Sequence, residues 1–386
     1  MPTQQATLIE NIRDLIRIPS ISSFSSALDM PNRPMIDHLA TQFAARGFEI
    51  DIQEVPGKPG KANLIATLGR GDTGLVLAGH TDTVPFDDGK WATDPFSLTD
   101  KDDRLYGLGT SDMKSFFAVA MAAVDDIRES DLKSPLIILA TADEETSMSG
   151  AKALAAGGEL KARYAVIGEP TELQPVRMHK GIFMERIRIE GRSGHSGDPE
   201  QGNSALEGMH RVIRELLKWR TELQQYKQDP AFSVPVTTLN LGRIQGGDNP
   251  NRICRACELD IDLRMLPGMH VTDLRGELRA RLHECLSGAD LALEFEALFD
   301  GVDPLETPQD DELIKVAESL TGAEAKGVVF GTEGPFLRKM GMQVVILGPG
   351  SINQAHQPNE YLALANIQPA VEILQAMIHR FCVKAT

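Results

Sequence analysis

The apolar residues of this chain follow two rhythms, and each predicts a different kind of sheet. In four places they run without a break: Leu75 to His80, Leu136 to Thr141, Tyr164 to Ile167 and Val344 to Leu347. Unbroken apolar strands separated by helical stretches mark a sheet buried on both faces, the usual setting of parallel strands joined by crossover helices. Each run ends in a turn-like cluster: His80-Thr81-Asp82, Asp143-Glu144-Glu145, Gly168-Glu169-Pro170 and Gly348-Pro349-Gly350. In sheets of this kind ligands gather beyond the carboxyl ends of the strands, which is where these polar residues lie. Helical spacing of Leu8, Ile9, Ile12, Leu15 and Ile16 predicts a first helix that stops at Ile18-Pro19-Ser20, and Asp112 opens a second, apolar one over Met113 to Ile127.

From Glu185 to Phe299 the rhythm changes. The elements read as strand (Arg186 to Gly191), long helix (Ser204 to Tyr226), two strands (Val236 to Gln245, Ile253 to Leu266), helix (Thr272 to Leu286) and strand (Leu291 to Leu298). This β-α-β-β-α-β order is that of a ferredoxin-like module. Alternation along Cys257-Glu258-Leu259-Asp260-Ile261-Asp262-Leu263 predicts a sheet with one wet face. Buried strand signals resume only afterwards, at Val328-Val329-Phe330 and Val344 to Leu347, so the module reads as an insertion. The expected fold class is α/β, a mostly parallel sheet with helices on both faces, over residues 1–180 and 300–386, with an inserted α+β ferredoxin-like domain over 181–299.

Composition narrows the function. A chain of 386 residues exceeds the size at which a single core stops growing, in keeping with two domains. Its 39 Lys and Arg against 55 Asp and Glu leave a net charge of −16, which argues against nucleic acid, a partner bound through clustered cations. Only 4 cysteines occur, too few for a disulfide framework, and the Cys254/Cys257 pair has no second pair to complete a zinc site. Glu10, Arg13, Asp14 and Arg17 interrupt the apolar residues of the first 21 positions, and the run Phe116 to Val124 is too short to span a bilayer. A cytoplasmic protein with neither nucleic acid nor membrane as partner is expected.

The strand ends collect His80, Asp82, Glu144, Glu145 and Glu169, with Asp112 opening a helix and His356 following the last strand. Taken singly, a His-x-Asp or a Glu-Glu pair is commonly structural or solvated. Repetition at the ends of separate buried strands changes that, because carboxylates packed together raise one another's pKa unless a cation compensates them. Two imidazoles and several carboxylates form a zinc-type ligand set, and a shared carboxylate can serve two ions of a hydrolytic site. Gly331-Thr332-Glu333-Gly334-Pro335 precedes the last strand and is expected to face the same crevice, where Glu333 offers a carboxylate to an ammonium group. His38, His179, His210, His270, His283 and His379 lie outside this cluster and read as structural or surface residues.

The runs Gly79-His80-Thr81-Asp82-Thr83-Val84-Pro85, Gly109-Thr110-Ser111-Asp112-Met113-Lys114, Asp143-Glu144-Glu145 and Gly168-Glu169-Pro170 resemble the co-catalytic zinc peptidase and aminoacylase family, and the likeness extends over essentially the whole chain. Within it, residues 78–88, 136–148, 174–176 and 348–358 look most like the members that deacetylate N2-acetylornithine. The resemblance implies hydrolysis of that amide in arginine biosynthesis, with succinyl-diaminopimelate desuccinylation or a broader aminoacylase activity as neighbouring possibilities, and a non-catalytic metal-binding relative as a more distant one. It implies two Zn2+ per subunit, with Co2+ as a substitute: His80 and Glu169 on one, Glu145 and His356 on the other, Asp112 bridging. It further implies that Asp82 accepts the second imidazole N–H of His80 and that Glu144 is the general base. His195, in Gly191-Arg192-Ser193-Gly194-His195-Ser196, would reach the partner's site across a homodimer built on the inserted lid, and Asn251 and Arg264 match positions that contact substrate. The family often has glycine where Ser115 stands, a difference expected to affect packing alone.

Overall fold

The computed structural model describes residues 4–158 and 160–384. The chain forms two compact units, one of residues 1–177, 306–326 and 332–386, the other of residues 178–305 and 327–331. Among the described residues no helix is long and apolar enough to cross a membrane.

The main sheet of the first unit is mixed with a parallel centre. Its strands lie in the order Glu49–Glu54, Ala62–Leu68, Leu136–Thr141, Leu75–His80, Tyr164–Ile167 and Gln343–Ile346. Leu75–His80 is parallel to both its neighbours, and Tyr164–Ile167 is parallel to Gln343–Ile346. Ala62–Leu68 and Glu49–Glu54 add on antiparallel, as does Val176 beside Ile346. The parallel centre was legible as unbroken apolar runs. The antiparallel flank was not, because Glu49–Glu54 alternates charge and isoleucine, a pattern suited to an edge strand that must resist further pairing.

Both faces of this sheet are covered. Leu77, Ile138 and Val166 join one core with the helices Gln4–Ile16, Arg33–Ala44, Ser115–Val124 and Ile367–Phe381, while the alternate residues Val76, Leu139, Ala165 and Ile346 are equally buried. All ten residues of Ser115–Val124 are buried, which is why that helix is apolar on every side. A Cβ on Gly168 would lie 2.1 to 2.4 Å from the Phe116 ring, so this helix approaches the end of Tyr164–Ile167 only because glycine stands there, one residue before Glu169.

The second unit carries a four-stranded antiparallel sheet in the order Thr238–Gly246, Ala256–Met265, Gly181–Glu190 and Ala292–Val302. Helices Ala205–Tyr226 and Val271–Cys285 complete the β-α-β-β-α-β sequence. Along Ala256–Met265 every second residue, Cys257, Leu259, Ile261, Leu263 and Met265, is buried in a core with Ile187, Ile189 and Trp219. The wetter face holds the cross-strand pair Arg186 and Asp260, joined by two parallel hydrogen bonds of 2.8 and 3.1 Å.

Three details differ from the sequence reading. The unit covers residues 178–305 and 327–331, and its strand Gly181–Glu190 starts earlier than the expected Arg186, matching the ten residues of Ala256–Met265 in register. The strand expected at Val328-Val329-Phe330 covers Lys326–Val328 instead, and Val329 is exposed. Cys254 precedes its strand rather than lying within it; Cys254 and Cys257 are both buried free thiols.

Candidate metal centre

His80 ends the central strand, Glu144 and Glu145 follow Leu136–Thr141, and Glu169 lies two residues beyond Tyr164–Ile167. Parallel pairing, with His80 opposite Thr141, therefore delivers all of them to one edge of the sheet. Asp112 comes from the turn before the buried helix and His356 from the loop after the last parallel strand. Asp112 stands between the two histidines: its Oδ1 is 3.2 Å from His80 Nε2, its Oδ2 3.7 Å from His356 Nε2. His80 Nε2 is also 3.9 Å from Glu169, and His356 Nε2 is 3.0 Å from Glu145. Donor atoms of His80, Glu144 and Glu169 lie within 4.8 Å of one another, as do those of His80, Asp112 and Glu145.

Electrostatics make this arrangement unfavourable without a cation. Burial lifts the carboxyl groups of Glu144, Glu145 and Glu169 above their ordinary range, and neighbouring carboxylates add to it, Glu169 acting on Glu144 and Asp112 on Glu145 and Glu169. Burial alone would lower the His80 imidazole. Its hydrogen bond with Asp112 and the charge of Glu169 prevail and raise it well above the usual value. The hydrogen bond to Glu145 raises His356 to about 9. Protons held by these groups would be released to divalent cations, and imidazole with carboxylate suits zinc or cobalt. The residues present are of a kind that could hold two ions, with His80, Asp112, Glu145, Glu169 and His356 as the ones that would hold them.

The turns bearing the ligands are pinned through their main chain. His80 Nδ1 faces the backbone oxygen of Asp82 at 3.0 Å, whereas the Asp82 carboxylate lies 3.7 Å away. That carboxylate accepts the N–H groups of Glu144 and Glu145 at 3.2 and 3.0 Å. His80 Nδ1 thus lies nearer the backbone oxygen of Asp82 than its side chain, and that side chain also orients the Glu144-Glu145 turn through the two amide donors. Asp143 (φ +58°) and His356 (φ +59°) occupy the left-handed region that non-glycine residues seldom adopt. Asp143 is held by Lys61 Nζ at 2.8 Å and by the hydroxyls of Ser22 and Ser149. Lys61, itself 4% exposed, also pairs with Asp29 at 2.8 Å. Nothing in the local sequence marks Lys61, because its partners Asp29 and Asp143 are brought to it only by the fold.

Other candidates lie apart in kind. Glu333 is 1% exposed; Oε2 accepts from the Thr141 hydroxyl at 2.5 Å, Oε1 has no hydrogen-bond partner among the described residues, and burial raises the group to about 7. In the second unit His195 is exposed, its Nδ1 accepting the Gly197 N–H at 3.0 Å. Asn251 lies in an exposed loop, its N–H donating to Asn249 Oδ1 at 3.3 Å. Arg264 forks onto Asp262 at 2.8 and 3.0 Å. Ser115 is buried at the start of its helix.

Residues 76–380 match the family model described as peptidase family M20/M25/M40. The chain belongs to that family. It is 48% identical over 374 residues, 97% of each chain, to a Pectobacterium atrosepticum protein named acetylornithine deacetylase. In fold it is similar to aminopeptidase PepT of Bacillus cereus, with a TM-score of 0.77 and 20% identity over 98% of both chains. It also resembles a Bacillus subtilis protein described as a dinuclear metal binding peptidase, with a TM-score of 0.65 and 16% identity over 98% of this chain and 99% of that one.

Replacing His356 by alanine removes an imidazole from a set of donors that converge from five separate segments. Metal affinity should fall by more than the roughly 10–100-fold that follows loss of an outer hydrogen-bond partner. Equilibrium dialysis with elemental analysis checks this, and unchanged metal content would show that His356 is not a ligand.

Proposed function

We propose that the chain hydrolyses the amide of N2-acetyl-L-ornithine to L-ornithine and acetate, as a step of arginine biosynthesis in the cytoplasm. The observation that carries this is the 48% identity, spread over 97% of both chains, to a protein named acetylornithine deacetylase. The donor set supports the chemistry: a metal-dependent hydrolase with two Zn2+ per subunit, replaceable by Co2+.

Bound metal supplies Lewis acidity to the acyl carbonyl and lowers the pKa of the attacking water. Glu144 is the general base. Its carboxyl group, raised by burial and by Glu169, is suited to take a proton from that water and return it to the departing amine. Asp82 sets the position of Glu144 through the two amide hydrogen bonds described above. His195, Asn251 and Arg264 belong to the substrate end of the site: His195 assists from the partner of a homodimer, and Asn251 and Arg264 contact the substrate's carbonyl or carboxylate. The homodimer forms through the second unit, whose terminal strand Thr238–Gly246 is mostly exposed along its length. Glu333 receives the side-chain ammonium; its unpartnered Oε1 is a buried acceptor that a cation would satisfy.

Amine release from a panel of N-acyl amino acids by the metal-loaded chain tests the assignment, with acetylornithine expected to lead. Faster turnover of N-succinyl-diaminopimelate, or no preference among side chains, would favour a desuccinylase or a general aminoacylase. On the same panel Glu144→Ala should retain metal while losing about 10²–10⁴ in rate; turnover within twofold of the parent would remove Glu144 as base. Glu333→Gln should cost acetylornithine hydrolysis the roughly 1.5–3 kcal/mol of a charged hydrogen bond and leave acetylmethionine little changed. Equal losses on both would assign Glu333 to the fold. Sedimentation should give a dimer at working concentration; a fully active monomer would exclude the trans role of His195.

A further inference from the structure

Glu360 takes no part in the chemistry above, yet it is among the most buried acids of the chain, 1% exposed. Its Oε1 accepts the backbone N–H groups of Ser111 and Asp112 at 2.7 and 2.9 Å, and its Oε2 accepts that of Gly109 at 3.0 Å. The Gly107 N–H donates to its main-chain oxygen at 3.1 Å. We propose that Glu360 is a positioning residue of the metal centre, fixing the turn that carries Asp112 and tying it to the segment that carries His356. The proposal rests on reading Asp112 and His356 as ligands.

Desolvating a carboxylate is costly, and a neutral glutamine would give the same three amides only one carbonyl oxygen. Two anionic oxygens satisfy all three donors, and such charge-assisted bonds are the stronger kind. The tertiary register makes the contact possible. Tyr361 pairs with Tyr106 on an antiparallel strand, which sets residue 360 beside residue 107 and aims its side chain at the turn that follows. A second link joins the same segments, the Ser351 N–H donating to Ser111 Oγ at 2.7 Å and that hydroxyl donating to the Ser351 carbonyl at 3.1 Å. Asp112 needs this precision more than the other ligands. Its two oxygens must face two histidines at once, at 3.2 and 3.7 Å, so a small rotation of the turn would misplace one of them.

The test uses the full chain carrying Glu360→Gln, which preserves shape, and Glu360→Ala. Chelator competition should show metal affinity lowered about 10–100-fold, the range for groups that orient ligands. The visible absorption of the Co2+-loaded protein should change, and at saturating metal kcat should fall while KM stays within twofold. Unchanged affinity and an unchanged Co2+ spectrum in Glu360→Gln, with only the melting temperature lowered, would overturn the proposal and leave Glu360 a folding residue. His356→Ala measured alongside separates the two readings: if it also leaves affinity unchanged, the ligand assignment itself fails, whereas weakened binding there and not in Glu360→Gln rejects the positioning role alone.

Discussion

The first unit is organised around a concentration of charge that water does not dissipate. Three glutamates, two aspartates and His80 meet where the parallel strands end, and burial followed by the charge of neighbouring carboxylates raises the three glutamates above their ordinary range. A scattered set of the same residues would be an ordinary acidic surface. Parallel pairing is what gathers them, since strands that run the same way present the same end, and residues as far apart in the chain as His80 and Glu169 arrive at one edge.

Gathering alone would not give a usable geometry. The candidate ligands sit in or beside turns, and turns tied only by their own sequence move. Here two of them are pinned by an acid whose own side chain is spent on backbone amides: Asp82 on the Glu144-Glu145 turn and Glu360 on the Asp112 turn, while Lys61 clamps Asp143. The site thus uses carboxylates in two ways, some left open toward a cation and others closed onto N–H groups. The two kinds look alike in sequence and differ only in what faces them. The left-handed backbone of Asp143 is held by the Lys61 contact.

The second unit solves a different problem. Its sheet is wet on one face, its core of Ile187, Ile189 and Trp219 is its own, and its outer strand Thr238–Gly246 has a free edge. That independence explains how a β-α-β-β-α-β module can interrupt the chain of the first unit without disturbing the parallel order on either side of it.

Sequence alone determined the elements whose signal is local. Unbroken apolar runs gave away the parallel centre, alternation gave away Ala256–Met265, and the recurrence of acids at strand ends brought together His80, Asp112, Glu145 and Glu169 before any coordinate did. The tertiary structure decided everything that depends on which atom faces which. It set the Asp82 side chain against the amides of the Glu144-Glu145 turn, exposed Val329, and brought in Lys61 and Glu360, for which no spacing rule exists because each acts on a turn far away in the chain. The physical reason is the same in every case: periodicity records which side of an element is buried, whereas a hydrogen bond between distant segments depends on register and direction, which are set only when the sheet has closed.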